Sequence, residues 1–312
     1  MKFEVFICGL FIVSVVFCFI QCRKKELFTM GTYSKFTPST IRKPNALTYI
    51  AVVRHGTRYP TKKMYKKLDT SISKTIHKHE IGLLTPDGFW EMVDYGKQLC
   101  TVYPYIFRHP ERYEIFSTEM ERALQSAQAC LNGINDAHPD GNITESKKII
   151  RGVQINAFLK VKDFFIKEPS EPQIVSCQYS KILKKKYDHC DEVAINNFEK
   201  RRNALVYESA IKNHAKGEPF HTVVQNLIKV CSKNIENTKT NKNTTIPQGF
   251  VFFCHDSTLM PLYYLLGLLP KDASKYNNQD WLAFASRLEI IIDNQGIVRY
   301  YVNDREEHIK MD

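Results

Sequence analysis

The chain has 312 residues, 43% hydrophobic and 25% charged, a balance that excludes a disordered or fibrous polypeptide and is enough for a sizeable core in one large or two modest domains. Lysine and arginine number 44 against 33 acidic residues, and the formal net charge of +11 favours an anionic partner: nucleic acid, acidic lipid or a phosphorylated small molecule. Nucleic acid is the weakest of these, because no recognisable reading module accompanies the charge.

At the N-terminus, Lys2 precedes an apolar run from Val5 to Ile20, and Gln21, Cys22 and a basic Arg23-Lys24-Lys25 follow it. The run is long for the apolar region of a signal and short for a membrane span, and residues 1–22 read as a cleaved secretory signal, with an uncleaved N-terminal anchor as the alternative. No later segment is apolar enough to cross a bilayer, so no stable span is expected after cleavage, and the expected location is outside the cell or in the secretory lumen. Asn142-Ile-Thr and Asn243-Thr-Thr are acceptor sequons that suit such a compartment. With Cys8, Cys18 and Cys22 in the signal, six cysteines remain: Cys100, Cys130, Cys177, Cys190, Cys231 and Cys254. An even number in an oxidising compartment predicts disulfides, and Cys177 with Cys190, flanking a short polar loop, is the one pair the sequence suggests. No CxxC pair is present, and His77 and His79 lack a carboxylate at ligand spacing, so they read as exposed histidines and no metal site is expected.

In chain order, "ALTYIAVV" (46–53) reads as a buried strand ending at Arg54, followed by "RHGTRYPT". Lys62, Lys63, Lys66 and Lys67 then read as a solvated helix face, with contact to a polyanionic substrate as the alternative. "LLTPDGFWEMVDYGKQL" (83–99) is an amphipathic helix capped by Thr85 or Asp87. "RYEIFST" (112–118) is a second strand, and the stretch that opens at Glu119 has helical spacing, with Ser117 or Thr118 as its cap. Residues 142–245 are Lys- and Asn-rich, with helical patterns at about 191–214 and 221–236, and read as an inserted helical subdomain or lid between core segments 23–141 and 246–312. Lys184 to Lys186 read as surface. "GFVFFC" (249–254) is a third strand, and a helix starts near Asp256 or Ser257 with Tyr263 and Tyr264 in its core face. "SRLEIIID", Asn294-Gln-Gly and "IVRYYVND" form a hairpin that closes the sheet edge. Strands separated by helical stretches imply an α/β fold, in which ligands collect at the carboxyl ends of parallel strands.

That geometry would bring Arg54, His55, Arg122 and His255 together, with Arg58 close after His55 and Asp256 next to His255 in the chain. Binding a phosphate monoester needs several fixed cations, and guanidinium groups offer paired N–H donors to two oxygens. A neutral imidazole whose other nitrogen is held by an acceptor attacks phosphorus, which suits His55. His255 would stabilise developing charge, and Asp256 would protonate the leaving alcohol. A helix N-terminus beyond Asp256 would add partial positive charge.

"RHGTRYP", "STEMERALQSA" and "HDST" together resemble the histidine phosphatases of the acid phosphatase and phytase branch. The longer stretches "VVRHGTRYPT", "LTPDGFWEMVDYGKQL", "CHDSTLMPLYYLLGL" and "FASRLEI" look most like the multiple inositol polyphosphate phosphatases, over residues 30–136 and 247–303. The resemblance implies a histidine-phosphatase-like α/β core sheet with flanking helices and a shortened helical insert. It implies that His55 forms a phosphohistidine, that Arg54, Arg58, Arg122 and His255 hold the phosphate, and that no metal or cofactor takes part. The expected partner is an inositol polyphosphate. Two departures stand out: His255-Asp256-Ser257 is the acid phosphatase and phytase form where the inositol polyphosphate enzymes carry His-Ala-Glu, and the spacing between the two histidines is short for that family. The retention tetrapeptide of some relatives is absent from the terminal "IKMD", which predicts export. A broad-specificity histidine acid phosphatase is the nearest alternative. A catalytically inactive phosphate-binding relative is a further one, disfavoured because every expected position is filled.

Overall fold

A computed structural model of the protein describes residues 46–138, 149–151, 171–212, 215, 218–241, 248–269 and 283–308, all within the unit that runs from Pro38 to Asp312. The signal segment 1–22 and the sequons at Asn142 and Asn243 lie outside the described residues.

The strands are β1 (Ala46–Arg54), β2 (Tyr113–Ser117), β3 (Gln248–Cys254), β4 (Arg287–Asp293), β5 (Val298–Val302) and β6 (Arg305–Glu307). They form one sheet in the order β2-β3-β1-β4-β5-β6. β1, β2 and β3 run parallel, whereas β4, β5 and β6 are each antiparallel to their neighbours. The hairpin expected at the sheet edge is β4–β5, but β4 pairs with the central strand β1 and the short β6 is the outermost strand.

The helices are α1 (Lys62–Tyr65), α2 (Thr70–Ser73), α3 (Pro86–Val102), α4 (Pro104–Phe107), α5 (Glu121–Asp136), α6 (Glu171–Ile182), α7 (Glu192–Lys212), α8 (Glu218–Asn241) and α9 (Asp256–Leu265). Alternation along β1 divides the core between the two faces of the sheet. Ile50 and Val52 join Phe252, Leu288 and Ile290 beneath Tyr207 of α7, Phe220, Val224 and Ile228 of α8 and Leu259 and Tyr263 of α9. Tyr49, Ala51 and Val53 join Val251, Phe253 and Ile291 beneath Met92, Tyr95 and Leu99 of α3 and Ala123, Ala127 and Ile134 of α5. The result is a sheet between two helical layers, and β1, covered on both sides, needs the continuous apolar run that marks it in the sequence.

Three local expectations change. Thr85 caps α3 by accepting from the Gly88 amide at 3.0 Å, which decides between it and Asp87. Neither Ser117 nor Thr118 caps α5: the helix starts later, its N-cap is Met120, and both hydroxyls are engaged elsewhere. Cys177 and Cys190 form the expected disulfide, but Cys100, Cys130, Cys231 and Cys254 are buried thiols. Cys100 and Cys130 lie in the core on one face of the sheet, and Cys231 and Cys254 in the core on the other. They serve as small apolar side chains. His77, His79 and Lys184 to Lys186 are exposed, Tyr263 is fully buried and Tyr264 partly so.

Candidate active site

β1 and β3 pair in parallel register with Arg54 beside Cys254, so the residues that follow each strand emerge side by side. The His55 amide donates to the Cys254 carbonyl at 3.0 Å and carries the pairing one residue further. β2 lies beside β3, and the Thr118 amide donates to the Phe253 carbonyl at 3.2 Å. Three strand ends therefore deliver His55, Thr118 and His255 to one edge of the sheet. The His55 and His255 rings lie 5.5 Å apart, and Thr118 Oγ1 is 3.1 Å from His255 Nε2.

The turn after β1 is fixed by α3 and α5. Glu91 of α3 accepts from the Thr57 amide at 2.9 Å and from its hydroxyl at 2.7 Å. Ser126 of α5 accepts from the Gly56 amide at 3.1 Å while donating to the Arg122 carbonyl at 2.7 Å, which ties the turn to the helical turn that carries Arg122. The Thr85 amide donates to the Thr57 carbonyl at 2.9 Å. A Cβ on Gly56 would collide with the Gly88 carbonyl and one on Gly88 with the Thr57 carbonyl, so this approach of loop to helix requires glycine on both sides.

His55 is 2% exposed, and its Nδ1 lies 2.9 Å from the Gly56 carbonyl. A carbonyl only accepts, so Nδ1 carries the proton and Nε2 holds the lone pair in the neutral ring. Burial first, and then Arg54, Arg58, Arg122 and His255, hold its pKa well below the ordinary histidine value. Burial and Arg122 pull His255 down to about 3, although Asp256 opposes the shift. Among the described residues, the buried His255 Nδ1 has no hydrogen-bond partner, nor do the Nε atoms of Arg58 and Arg122.

Arg54 donates from Nη2 to Asp256 Oδ2 at 2.8 Å, and its guanidinium lies 4.5 Å from the centre of the Phe284 ring. Asp256 Oδ1 accepts from the Ser257 amide at 2.8 Å in the first turn of α9. Arg58 donates from Nη1 to the Tyr59 carbonyl at 2.8 Å and to the Tyr179 hydroxyl at 3.4 Å. Arg122 is lowered to about 10 by burial and by Arg58. All six residues named from the sequence thus share one region. A site of clustered cations, a buried neutral imidazole and a carboxylate at a helix N-terminus is suited to receive a dianion and to move a proton. Glu91, Ser126, Thr118, Tyr179 and Phe284 join the site without a role that the sequence assigns them. Glu91, Ser126, Thr118 and Phe284 lie inside the stretches that carry the family resemblance, where Thr118 is one of two candidate helix caps, and Tyr179 lies outside them.

Solved structures share this fold. The Bifidobacterium longum multiple inositol polyphosphate phosphatase in complex with inositol hexasulfate matches with a TM-score of 0.51 at 12% identity, over 87% of this chain and 90% of that one. A phytase from Citrobacter braakii matches with a TM-score of 0.51 at 13% identity, over 83% and 85% of the two chains. The apo form of the Hafnia alvei phytase matches with a TM-score of 0.50 at 12% identity, over 83% and 84%. No curated protein sequence matches the chain. The family model for the histidine phosphatase superfamily (branch 2) matches residues 48–231, more than half of the chain, and the protein belongs to that superfamily.

Proposed function

We propose that the protein is a phosphomonoesterase that removes phosphate from inositol polyphosphates through a phosphohistidine on His55. The observation that carries this reading is the hydrogen bond from Nδ1 of His55 to the Gly56 carbonyl, which leaves Nε2 unprotonated among Arg54, Arg58 and Arg122. In the first step Nε2 attacks phosphorus, the N–P bond forms and the P–O bond to the alcohol breaks, and Asp256 passes its proton to the departing oxygen. In the second step water attacks phosphorus, the N–P bond breaks, and the water's proton returns to Asp256. Arg54, Arg58, Arg122 and His255 hold the phosphoryl oxygens throughout. The contact between Arg54 and Asp256 fits this cycle: a phosphate that competes for Arg54 frees the carboxylate oxygen to take up the proton it later donates. Helix α6 reaches the site through Tyr179, whose hydroxyl accepts from Arg58, and the segment 142–245 that contains it would limit which phosphates enter. Secretion follows from residues 1–22 under this reading, and no helix among the described residues is long and apolar enough to cross a membrane.

The test is phosphate release from phytate at about pH 4–7 by the wild type and by His55→Ala, which lowers turnover by at least about a thousandfold. Undiminished turnover in that variant removes His55 as nucleophile. The His255-Asp256-Ser257 sequence favours a second reading, a broad-specificity acid phosphatase. Equal kcat/KM for phytate and a simple aryl phosphate would select it.

A further inference from the structure

We propose that Phe284 is a positioning residue for the phosphate pocket: its ring is the platform that fixes the guanidinium of Arg54 over the site. The proposal rests on the phosphatase reading above and adds a residue to it.

The ring centre lies 4.5 Å from the Arg54 guanidinium carbon, 5.9 Å from that of Arg58 and 5.7 Å from the centre of the His55 ring. One side chain thus touches two of the cations and the imidazole. The backbone that carries it is built onto the same residues. The Ala285 amide donates to the His55 carbonyl at 3.2 Å, the Arg54 amide donates to the Ser286 carbonyl at 2.8 Å, and the Ser286 amide closes a turn onto the Ala283 carbonyl at 3.2 Å. Ala285 has φ +61, a left-handed conformation that disfavours residues with a Cβ, and it is buried in this state beside the site. The turn that bears Phe284 is therefore registered to residues 54 and 55 by two hydrogen bonds, and its strain is sustained by the surrounding structure.

A guanidinium has two requirements for bidentate phosphate binding: its plane must be fixed, and the edge that faces the anion must stay open. Stacking on an aromatic face meets both, because it uses the flat side of the group and does not itself occupy an N–H edge. Asp256 then fixes rotation within that plane from one edge. Leucine would fill much of the same volume and keep water away, but it offers no negative π-face, and this difference is what separates a positioning role from plain packing.

The experiment measures the Kd of inorganic phosphate by titration calorimetry for wild type, Phe284→Tyr, Phe284→Leu and Phe284→Ala, with thermal melts as the folding control. Phe284→Tyr is expected to bind within about twofold of wild type, and Phe284→Leu and Phe284→Ala about three- to thirtyfold more weakly. If Phe284→Ala does not fold, Phe284→Leu decides the question. A Phe284→Leu protein that melts and binds phosphate like wild type overturns the proposal, and so does a Phe284→Tyr protein as weak as the leucine variant. The probe carries no organic group, so a wild type inactive on phytate would overturn the substrate assignment and leave this comparison to stand or fall by itself.

Discussion

Arg54 at the end of β1 and Arg287 at the start of β4 are each 3% exposed, yet their surroundings are set for opposite purposes. Arg287 lies 3.6 Å from Glu289, donates to Asp304, and has its guanidinium 5.2 Å from the Tyr95 ring. Glu289 in turn accepts from the Tyr49 hydroxyl at 2.6 Å, and Tyr49 shares a hydrogen bond with Tyr95 at 2.8 Å. Burial alone would lower the pKa of Arg287, but Glu289 and Asp304 raise it above the ordinary arginine value. Around Arg54 the balance reverses. Its carboxylate partner Asp256 is 31% exposed, the charges acting on His55 are cations, and neighbouring Arg122 is lowered to about 10. A cation that holds the fold together is neutralised from within, whereas cations clustered with one another around a neutral imidazole are arranged as the proposed phosphate site requires.

Two substitutions set this contrast against measurement. Arg287→Met leaves the buried Glu289 and the part-buried Asp304 beside an apolar chain and should cost about 3–5 kcal/mol of stability, read as a lower urea midpoint. Arg122→Met relieves like-charge repulsion, so its midpoint should equal or exceed that of wild type, while kcat/KM for a phosphate ester falls by about a hundredfold. A destabilised Arg122→Met protein, or an Arg287→Met protein as stable as wild type, would break the distinction.

The same contrast explains what the sequence disclosed. β1 was legible because a strand covered on both faces is apolar along most of its length, and the site because Arg54-His55 and His255-Asp256 sit at the ends of such strands. α9 was legible for a related reason, since it starts as the strand stops. The residues that support the site were not legible, because their partners are remote in the chain. Glu91 is 34 residues from Thr57 and Ser126 is 70 from Gly56, and on its own helix each is simply one more polar residue. Thr118 stands where a helix cap would, and only the fold shows its hydroxyl beside His255. The Arg287 network was hidden for the opposite reason: "SRLEIIID" reads as one arm of a hairpin, which does not tell that Arg287, Glu289 and Asp293 are all buried. α6 is not among the helical patterns read from the sequence, although its Tyr179 reaches Arg58.

Burying neutral histidines among cations has a cost that depends on pH. Both His55 and His255 have folded pKa values below the unfolded value of about 6.5, His255 at about 3. Above that unfolded value neither state gains a proton, and the full stability is present. As the pH falls below it, the unfolded chain takes up protons that the folded chain refuses, so stability is lost progressively. The melting temperature should therefore fall between about pH 6.5 and pH 4, and His255→Gln should flatten that fall by about 2–6 °C. An unchanged slope would mean that His255 does not stay neutral in the folded protein.

The smallest effect tests how far pocket cations depend on the residues that orient them. Tyr179 is buried on α6, two residues beyond Cys177 of the disulfide to Cys190, and its hydroxyl accepts from Arg58 at 3.4 Å while approaching Met64 Sδ at 3.8 Å. A hydrogen bond this long contributes at the weak end of the range, and Arg58 keeps its shorter bond to the Tyr59 carbonyl. Tyr179→Phe should then raise KM by about two- to threefold and leave kcat and the urea midpoint unchanged. An effect on kcat as large as that of Arg122→Met would place the hydroxyl among the groups that act on the transition state. No effect at all would mean that the Tyr59 carbonyl orients Arg58 by itself. The predicted intermediate outcome is what distinguishes a group that aims a cation from the cation it aims.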